Sequence, residues 1–551
     1  MKKIMIVLPL LLLATLIQAQ TKLTPAQLQL LDRIATQDVP AKAPGIATAI
    51  IQNGKVTYKK VAGYANLEDS TFITERSRFN IASNGKQFTA LAILLLMEQK
   101  KLSLTDDVRT YFPDLFPLIK DSITIRHLLT HSSGIRDVYD LWSMQGITWW
   151  KQTYNNKDVL NLLLRQQEFN FQPGSEFLYS NSNYMLLALI IEKVSGQTFQ
   201  QFTSSMFRAL GMYQTSFEDD YTVVRQPVAK AYFNFGSWTG YKWLWNATGD
   251  GNLFSTLEDQ VRWELLLQGK GRTGISRSLL QRSQQLVEGS SIENYGYGLE
   301  FGMYKQMPYR FHEGATGAWK ATVIRFPLQK TTMITLTNTG KSIPSMQTRQ
   351  MADVVFNLKN DAQYFITQPS ATGPFVSEDE IPGIYLTPSY FSFQFEKRKD
   401  QLFLKRSGRN DVALEREASN IFHQVNDPAF KQEFTRNEKG ELQVTAYYTT
   451  HAPYTLTQTK SDWNLFQAKS IEGVYKNPEI NVILTVQHQD EQNYRVIWSH
   501  NDTSKALLVT PSLLLFDGYA ATLTKDEQGL PVLLLNGNRV KRMRFTLVKK
   551  E

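Results

Sequence analysis

The chain of 551 residues contains no cysteine. That absence excludes disulfides, thiolate metal sites and a lipid anchor attached through cysteine. Long apolar runs are almost as scarce. Only the start of the chain carries one: Lys2-Lys3, then an apolar stretch from Ile4 to Ile17 interrupted by Pro9. It is short for a bilayer span and reads as a signal peptide over residues 1–19, cut after Ala19. Ile17 is a poorer residue than alanine two positions before that cut, so the cut is less sharply fixed. The rest of the sequence offers no charge-free stretch of spanning length. The expectation is therefore an exported protein, periplasmic or secreted, with no membrane span in the mature chain. Runs of Lys and Arg are missing too. The net charge of +9 falls to +7 when Lys2 and Lys3 leave, since residues 1–19 contain no acid. Spread over this length it marks no nucleic-acid face, and nucleic acid is excluded as a partner. The excess suits ordinary solvated surface, with anionic cell-wall polymers as the alternative.

Against this background one tetrad stands out, Ser83-Asn84-Gly85-Lys86, the sole Ser-x-x-Lys in the chain. It opens an apolar stretch from Gln87 to Met97 that predicts a helix buried nearly all round. Positions three apart on a helix share a face, so the Ser83 hydroxyl and the Lys86 amine would lie side by side. Serine is a weak nucleophile near neutral pH because its proton must leave as the oxygen attacks, and a neutral lysine can take that proton. Burial near the start of such a helix lowers a lysine's pKa. A helix N-terminus also offers N–H groups and a positive dipole end, which suit an oxyanion. On its own the tetrad is read more plainly as an N-capping serine followed by a surface lysine.

Further residues reverse that reading. Pro173-Gly174-Ser175-Glu176-Phe177-Leu178-Tyr179-Ser180-Asn181 precedes a predicted helix at Met185 to Val194, and it contains one of five Tyr-x-Asn triplets in the chain. The others begin at Tyr64, Tyr154, Tyr232 and Tyr475, so the triplet decides nothing without its context. His312-Glu313-Gly314-Ala315-Thr316-Gly317 runs into two predicted strands, Lys320 to Phe326 and Thr331 to Thr337. Ile125-Arg126-His127-Leu128-Leu129-Thr130-His131-Ser132-Ser133-Gly134, Gly249-Asp250-Gly251-Asn252 and Tyr295-Gly296-Tyr297-Gly298 complete the set. In order and spacing, across roughly Pro44 to Asn338, this set resembles the serine β-lactamase and penicillin-binding-protein superfamily, in its class C and D-aminopeptidase-like branch.

The resemblance implies an α/β catalytic domain, with an antiparallel sheet flanked by helices and a helical subdomain, and a site between the two parts. It implies Ser83 as nucleophile, Lys86 as the base, Tyr179 as proton relay and activator of the deacylating water, and Asn181 as the group that orients the lysine or the substrate amide. His312 would hydrogen-bond that tyrosine or a substrate terminus. The backbone N–H groups of Ser83 and Ala315 would form the oxyanion hole, with Gly314 and Thr316 lining the substrate. The lactamase Lys-Thr-Gly triplet is absent. Arg272-Thr273-Gly274 comes nearest but falls in a Gly-rich turn between helical patterns, and His312-x-Gly314 takes its place. Histidine is mostly neutral at pH 7, so carboxylate-bearing cephalosporins are expected to be poor substrates. His127 and His131 are read as structural, capping backbone groups around a turn. His127, His131 and His312 show no ligand spacing, and neither a metal nor a cofactor is implied.

Beyond about Asn360 the texture changes. Gln368-Pro369-Ser370-Ala371-Thr372-Gly373-Pro374 reads as a linker, followed by short alternating strands. Ile381-Pro382-Gly383-Ile384-Tyr385 recurs as Ile471-Glu472-Gly473-Val474-Tyr475, and Phe434 to Leu442 recurs as Leu523 to Pro531, at near-constant offset. A constant offset means a duplicated unit, each long enough for a small antiparallel barrel. The resulting plan is a signal peptide at 1–19, a serine hydrolase domain at 20–366, a linker at 367–379 and two all-β, lipocalin-like barrels at 380–465 and 466–551. The function this implies is hydrolysis of an amide or ester bond in a small substrate of cell-wall or other origin, as in D-aminopeptidases, DD-peptidases and esterases. The alternatives are a penicillin-binding sensor that acylates with little turnover, a true β-lactamase, or a module without catalysis. Oligomeric state is not legible.

Overall fold

The computed structural model describes residues 22–148, 150–358, 369, 373–405, 411–425, 427–447, 453–459 and 471–549. The signal peptide expected from the sequence, and residues 367, 368 and 370–372 of the expected linker, lie outside these residues. The catalytic region is built on a six-stranded antiparallel sheet. Its spatial order is Glu300–Tyr304, Met307–Thr316, Trp319–Phe326, Thr331–Thr337, Ile46–Gln52, Lys55–Ala62. The central strands Thr331–Thr337 and Ile46–Gln52 are buried at every position, which requires both faces of the sheet to be covered. The pleat divides their side chains between two cores. Ile50, Ile324 and Met333 pack with Leu31 and Met351 from helices Pro25–Thr36 and Pro344–Phe356. Ala49, Val323 and Ile334 face the other way, into the core that contains Trp263 of helix Leu257–Leu267 and Phe88 of helix Lys86–Glu98.

The helix Lys86–Glu98 explains its own sequence. Every residue from Lys86 to Leu94 is buried, so the apolar character all round is the signature of a core helix and not of an amphipathic one. It packs against Asn181–Ser195, which is stopped by Gly196 in the left-handed conformation, φ 72°. The strands expected at 320–326 and 331–337 and both helices are present. Arg272-Thr273-Gly274 lies in the connection between helices Leu257–Leu267 and Arg277–Arg282 and belongs to no strand of the sheet.

The C-terminal part forms two closed eight-stranded antiparallel barrels, from Gly383–Leu386 to Tyr454–Gln458 and from Gly473–Asn477 to Met543–Lys549. The duplication seen in the sequence is a structural one. Tyr385 Oη donates to the Ile381 carbonyl at 2.9 Å and Tyr475 Oη to the Ile471 carbonyl at 3.0 Å, so the repeated pentapeptide makes the same hydrogen bond at the start of each barrel. The two barrels differ in their attachment. The first has a core of its own around Phe395, Phe422 and Phe434. The core of the second, including Tyr475, Val496 and Phe545, is continuous with that of the catalytic region. A buried ion pair at 2.9 Å, Arg136 to Glu479, crosses this junction. Among the described residues no helix is long and apolar enough to cross a membrane.

Candidate active site

Ser83 is held on a short 3-10 turn, Ala82–Gly85, directly before the helix that begins at Lys86. Ala82 sits at φ 48°, a costly position for a residue with a Cβ. The Asn80 side-chain oxygen accepts from its N–H at 2.9 Å and fixes it there. The kink lifts Ser83 to partial exposure while its neighbours on both sides stay buried. The next residue of the motif is fully enclosed: Lys86 Nζ donates to Ser83 Oγ at 3.2 Å, to Asn181 Oδ1 at 2.9 Å and to the Asp250 carbonyl at 2.7 Å. An ammonium has three donors, and all three are spent on fixed acceptors. Burial pushes the lysine down to about 7, against the opposing pull of the Asp250 carboxylate. The two residues on one helical turn are therefore a hydroxyl and an amine that is partly neutral near pH 7.

Tyr179 precedes the helix Asn181–Ser195 and lays its ring 4.9 Å from Lys86 Nζ. Burial holds its phenol well above the usual range, with the Ser83 hydroxyl in hydrogen-bonding reach. Asn181 is clamped in turn, since its backbone N–H and side-chain amide both donate to Asp137 Oδ2, at 2.7 and 2.8 Å. Of the five Tyr-x-Asn triplets it is this one that joins Ser83 and Lys86.

The strand Met307–Thr316 forms the opposite wall. Its neighbour Glu300–Tyr304 pairs with it only as far as Phe311, so His312 to Thr316 present an edge to the Ser83 turn. Gly314 is needed at that edge: a Cβ there would stand 2.2 Å from the Ile81 carbonyl oxygen and 3.1 Å from the Ser83 nitrogen. Gly298 has the same role behind the site, at φ 71° and against the backbone of Lys86 and Gln87. Gly314, Ala315 and Thr316 line one cleft of about 760 Å³ together with Ser83, Tyr179 and Asn181.

His312 also lines this cleft, but its bonding departs from expectation. Nδ1 lies 2.8 Å from the Glu313 carbonyl, which can only accept, so the ring proton sits on Nδ1 and Nε2 accepts from Tyr295 Oη at 3.0 Å. Its hydrogen bond goes to Tyr295 and not to Tyr179, whose ring centroid is 6.2 Å away. Both ring nitrogens are already occupied, and burial, reinforced by Lys86, pushes the imidazole down to about 3. It stays neutral at physiological pH. His127 and His131 behave as expected. His127 Nδ1 accepts from the Thr124 N–H in a capping box, and His131 Nδ1 accepts from the Ser180 N–H next to Tyr179.

Several residues of the site have no assignment from sequence. Asp137 orients Asn181, Tyr139 Oη donates to Asp250 Oδ2 at 2.9 Å, and Glu300, pushed up to about 7 by burial, lines the cleft. Asp250 and Tyr295 lie inside the recognised Gly-Asp-Gly-Asn and Tyr-Gly-Tyr-Gly segments, where the signal was present but the role was not. Arg539 is a different case, because it comes from the second barrel and no local pattern marks it. It also brings a permanent cation into a cleft expected to lack one.

A family model described as Beta-lactamase matches residues 31–357. The chain belongs to the β-lactamase family. It is a serine hydrolase of the β-lactamase and penicillin-binding-protein superfamily, and the matched span ends where helix Pro344–Phe356 ends. The chain is similar to Protein flp of Staphylococcus aureus (strain N315), 27% identical over 420 residues covering 71% of this chain and 79% of that protein. It is also similar to Penicillin-binding protein 4* of Bacillus subtilis (strain 168), 29% identical over 311 residues, 52% of this chain and 66% of that protein. Among solved structures, the octameric penicillin-binding protein homologue from Pyrococcus abyssi aligns with TM-score 0.54 at 24% identity. That alignment covers 79% of this chain and 99% of the other, so the likeness of fold extends past the catalytic region.

Proposed function

We propose that the protein hydrolyses amide or ester bonds of small substrates through an acyl-enzyme on Ser83. The three-way anchoring of the buried Lys86 amine, 3.2 Å from Ser83 Oγ, carries this reading. As Ser83 Oγ attacks the carbonyl carbon, its proton passes to neutral Lys86 Nζ. The tetrahedral oxyanion forms between the turn of Ser83 and the strand edge at Ala315, where their backbone N–H groups stabilise it. Tyr179, protonated and against both Ser83 and Lys86, relays the proton to the departing amine or alcohol and then helps draw one from the deacylating water. Asn181 and Asp137 hold Lys86 in register, and neutral His312 fixes the wall through Tyr295.

Peptides or amides of cell-wall type fit a cleft of this size, and the similarity to a penicillin-binding protein supports them. The basic start and apolar run of residues 1–19 support export to a periplasm or the exterior. The test is turnover of D- and L-aminoacyl amides, p-nitrophenyl esters and cephalosporins by wild type and Ser83→Ala. At least one class should be turned over by wild type and none by the variant. Equal rates in both proteins would overturn the reading.

A further inference from the structure

Arg539 sits in the turn between strands Pro531–Asn536 and Met543–Lys549 of the second barrel. That turn is clamped to the catalytic region through its backbone. The Arg539 N–H donates to Asp140 Oδ2 at 2.6 Å, the Arg539 carbonyl accepts from Asn170 Nδ2 at 3.1 Å, and the Lys541 N–H donates to Asn170 Oδ1 at 2.6 Å. These bonds hold the turn in place through its backbone. The guanidinium instead projects into the cleft, where it lies 4.8 Å from the centroid of the Tyr179 ring and remains one-third exposed.

The other cations of the cleft are committed. Lys86 has spent its three donors, and Lys320 Nζ donates to the Gly340 and Ser342 carbonyls at 2.8 and 2.7 Å. Among the described residues the Arg539 guanidinium makes no hydrogen bond, and its one ion pair, to Asp137, is long at 3.6 Å. Asp137 does not need it, because its carboxylate already accepts from Asn181 twice and from the Tyr139 N–H. A planar donor fork with free N–H groups at the edge of a cleft is matched to a carboxylate. With Asp137 and Asp140 close by, a monoanion suits it better than a dianion.

We propose that Arg539 is the anion-binding residue of this site, and that preferred substrates carry a carboxylate on the leaving group. This rests on the acyl-enzyme reading above, in which Tyr179 delivers the proton to the departing group. Arg539 stacks on that same tyrosine, so it borders the path by which the leaving group exits. The second barrel then completes the active site, supplying the permanent charge that neutral His312 does not.

The test uses the full chain and two matched esters of N-acetyl-alanine, in both D and L forms. One has glycolate as leaving group, and the other has glycolamide, which differs only in carrying a carboxamide for the carboxylate. Wild type should favour the glycolate ester in kcat/KM, mainly through KM. Arg539→Gln should lower the glycolate-to-glycolamide ratio by about tenfold to a hundredfold, the range for a charge-assisted hydrogen bond, and Arg539→Lys should restore part of it. A wild type without preference, or an Arg539→Gln protein that loses both esters in equal proportion, would overturn the proposal.

Binding separates this inference from the hydrolase reading. On a Ser83→Ala background, calorimetry should show tighter binding of the glycolate ester with Arg539 present and no preference with Arg539→Gln. If wild type cleaves neither these esters nor any amide, ester or cephalosporin named above but this binding preference holds, the hydrolase reading fails and the role of Arg539 stands. If both esters are cleaved by Ser83 with no difference in binding, only the role of Arg539 fails. Should Arg539→Gln not fold, Arg539→Lys carries the comparison, and an unaltered ratio together with unaltered affinities in it would count against the proposal.

Discussion

Replacing Asp250 with Asn removes a charge next to the base without removing the base's anchor. Lys86 can take the Ser83 proton only when neutral, so kcat/KM on an uncharged ester should rise with pH through a limb near 7, where burial places this lysine. Among the charges around it, the Asp250 carboxylate does most to favour the protonated amine, and it is itself pushed up to about 6 by burial. Asparagine keeps the carbonyl that accepts from Lys86, and its amide oxygen can still accept from Tyr139, so the geometry survives. Without the negative charge the ammonium form loses support, and the limb should move to lower pH. A neighbouring opposite charge is worth one to three pH units. Because Asp250 is partly protonated near its own midpoint, the lower end applies, roughly one unit.

At pH 6 a wild-type limb at 7 leaves about a tenth of the plateau, and a limb at 6 leaves about half, so the variant should gain roughly fivefold relative to its plateau. The assay is kcat/KM for a p-nitrophenyl ester from pH 5 to 9. Glu300 also titrates near 7 in this cleft, and Glu300→Gln separates the two: its limb should stay close to 7, since Glu300 acts on Lys86 less than Asp250 does. A limb unmoved or raised by Asp250→Asn, or abolished by Glu300→Gln, would refute the assignment of the base.

Lys86→Ala and Tyr179→Phe should each cut kcat steeply, and the double variant should lose far less than the product of the two, because they serve one proton; multiplicative losses would show independent roles. Glu479→Gln should destabilise the protein by roughly 3 kcal/mol in denaturant unfolding, since it leaves the fully buried Arg136 guanidinium without its 2.9 Å partner, and an unchanged midpoint would show that the junction does not depend on the pair. His312→Lys should lower stability and leave little activity, because it puts a second ammonium into the enclosed space beside Lys86. A well-folded, active His312→Lys protein would show that this wall is less enclosed than described.

What the sequence made legible follows the range of the interactions. Ser83 and Lys86 lie within one turn, so local spacing alone put hydroxyl and amine together, and the apolar helix behind them announced its burial. The duplicated Ile-x-Gly-x-Tyr pentapeptide announced the two barrels because each copy makes the same local hydrogen bond, from the tyrosine to the isoleucine carbonyl four residues back. Tyr179 needed the surrounding segment to be chosen from five triplets. The partner of His312 was misread because Tyr295 and Tyr179 both approach the same wall, and only the strand register decides which hydroxyl meets Nε2. Arg539 was out of reach for the same reason at longer range: nothing near it in the chain marks a site, and its place depends on the docking of a barrel onto the helix Val138–Met144, which carries Asp140, and the loop that contains Asn170.

Intact-mass spectrometry after exposure to a fluorophosphonate tests the central claim most directly, because it reads the covalent bond to the proposed nucleophile. Wild type should gain the mass of one adduct, carried on the peptide that contains Ser83, and Ser83→Ala of equal thermal stability should gain none. An adduct of the same mass on Ser83→Ala, or a wild-type adduct on another residue, would contradict the account.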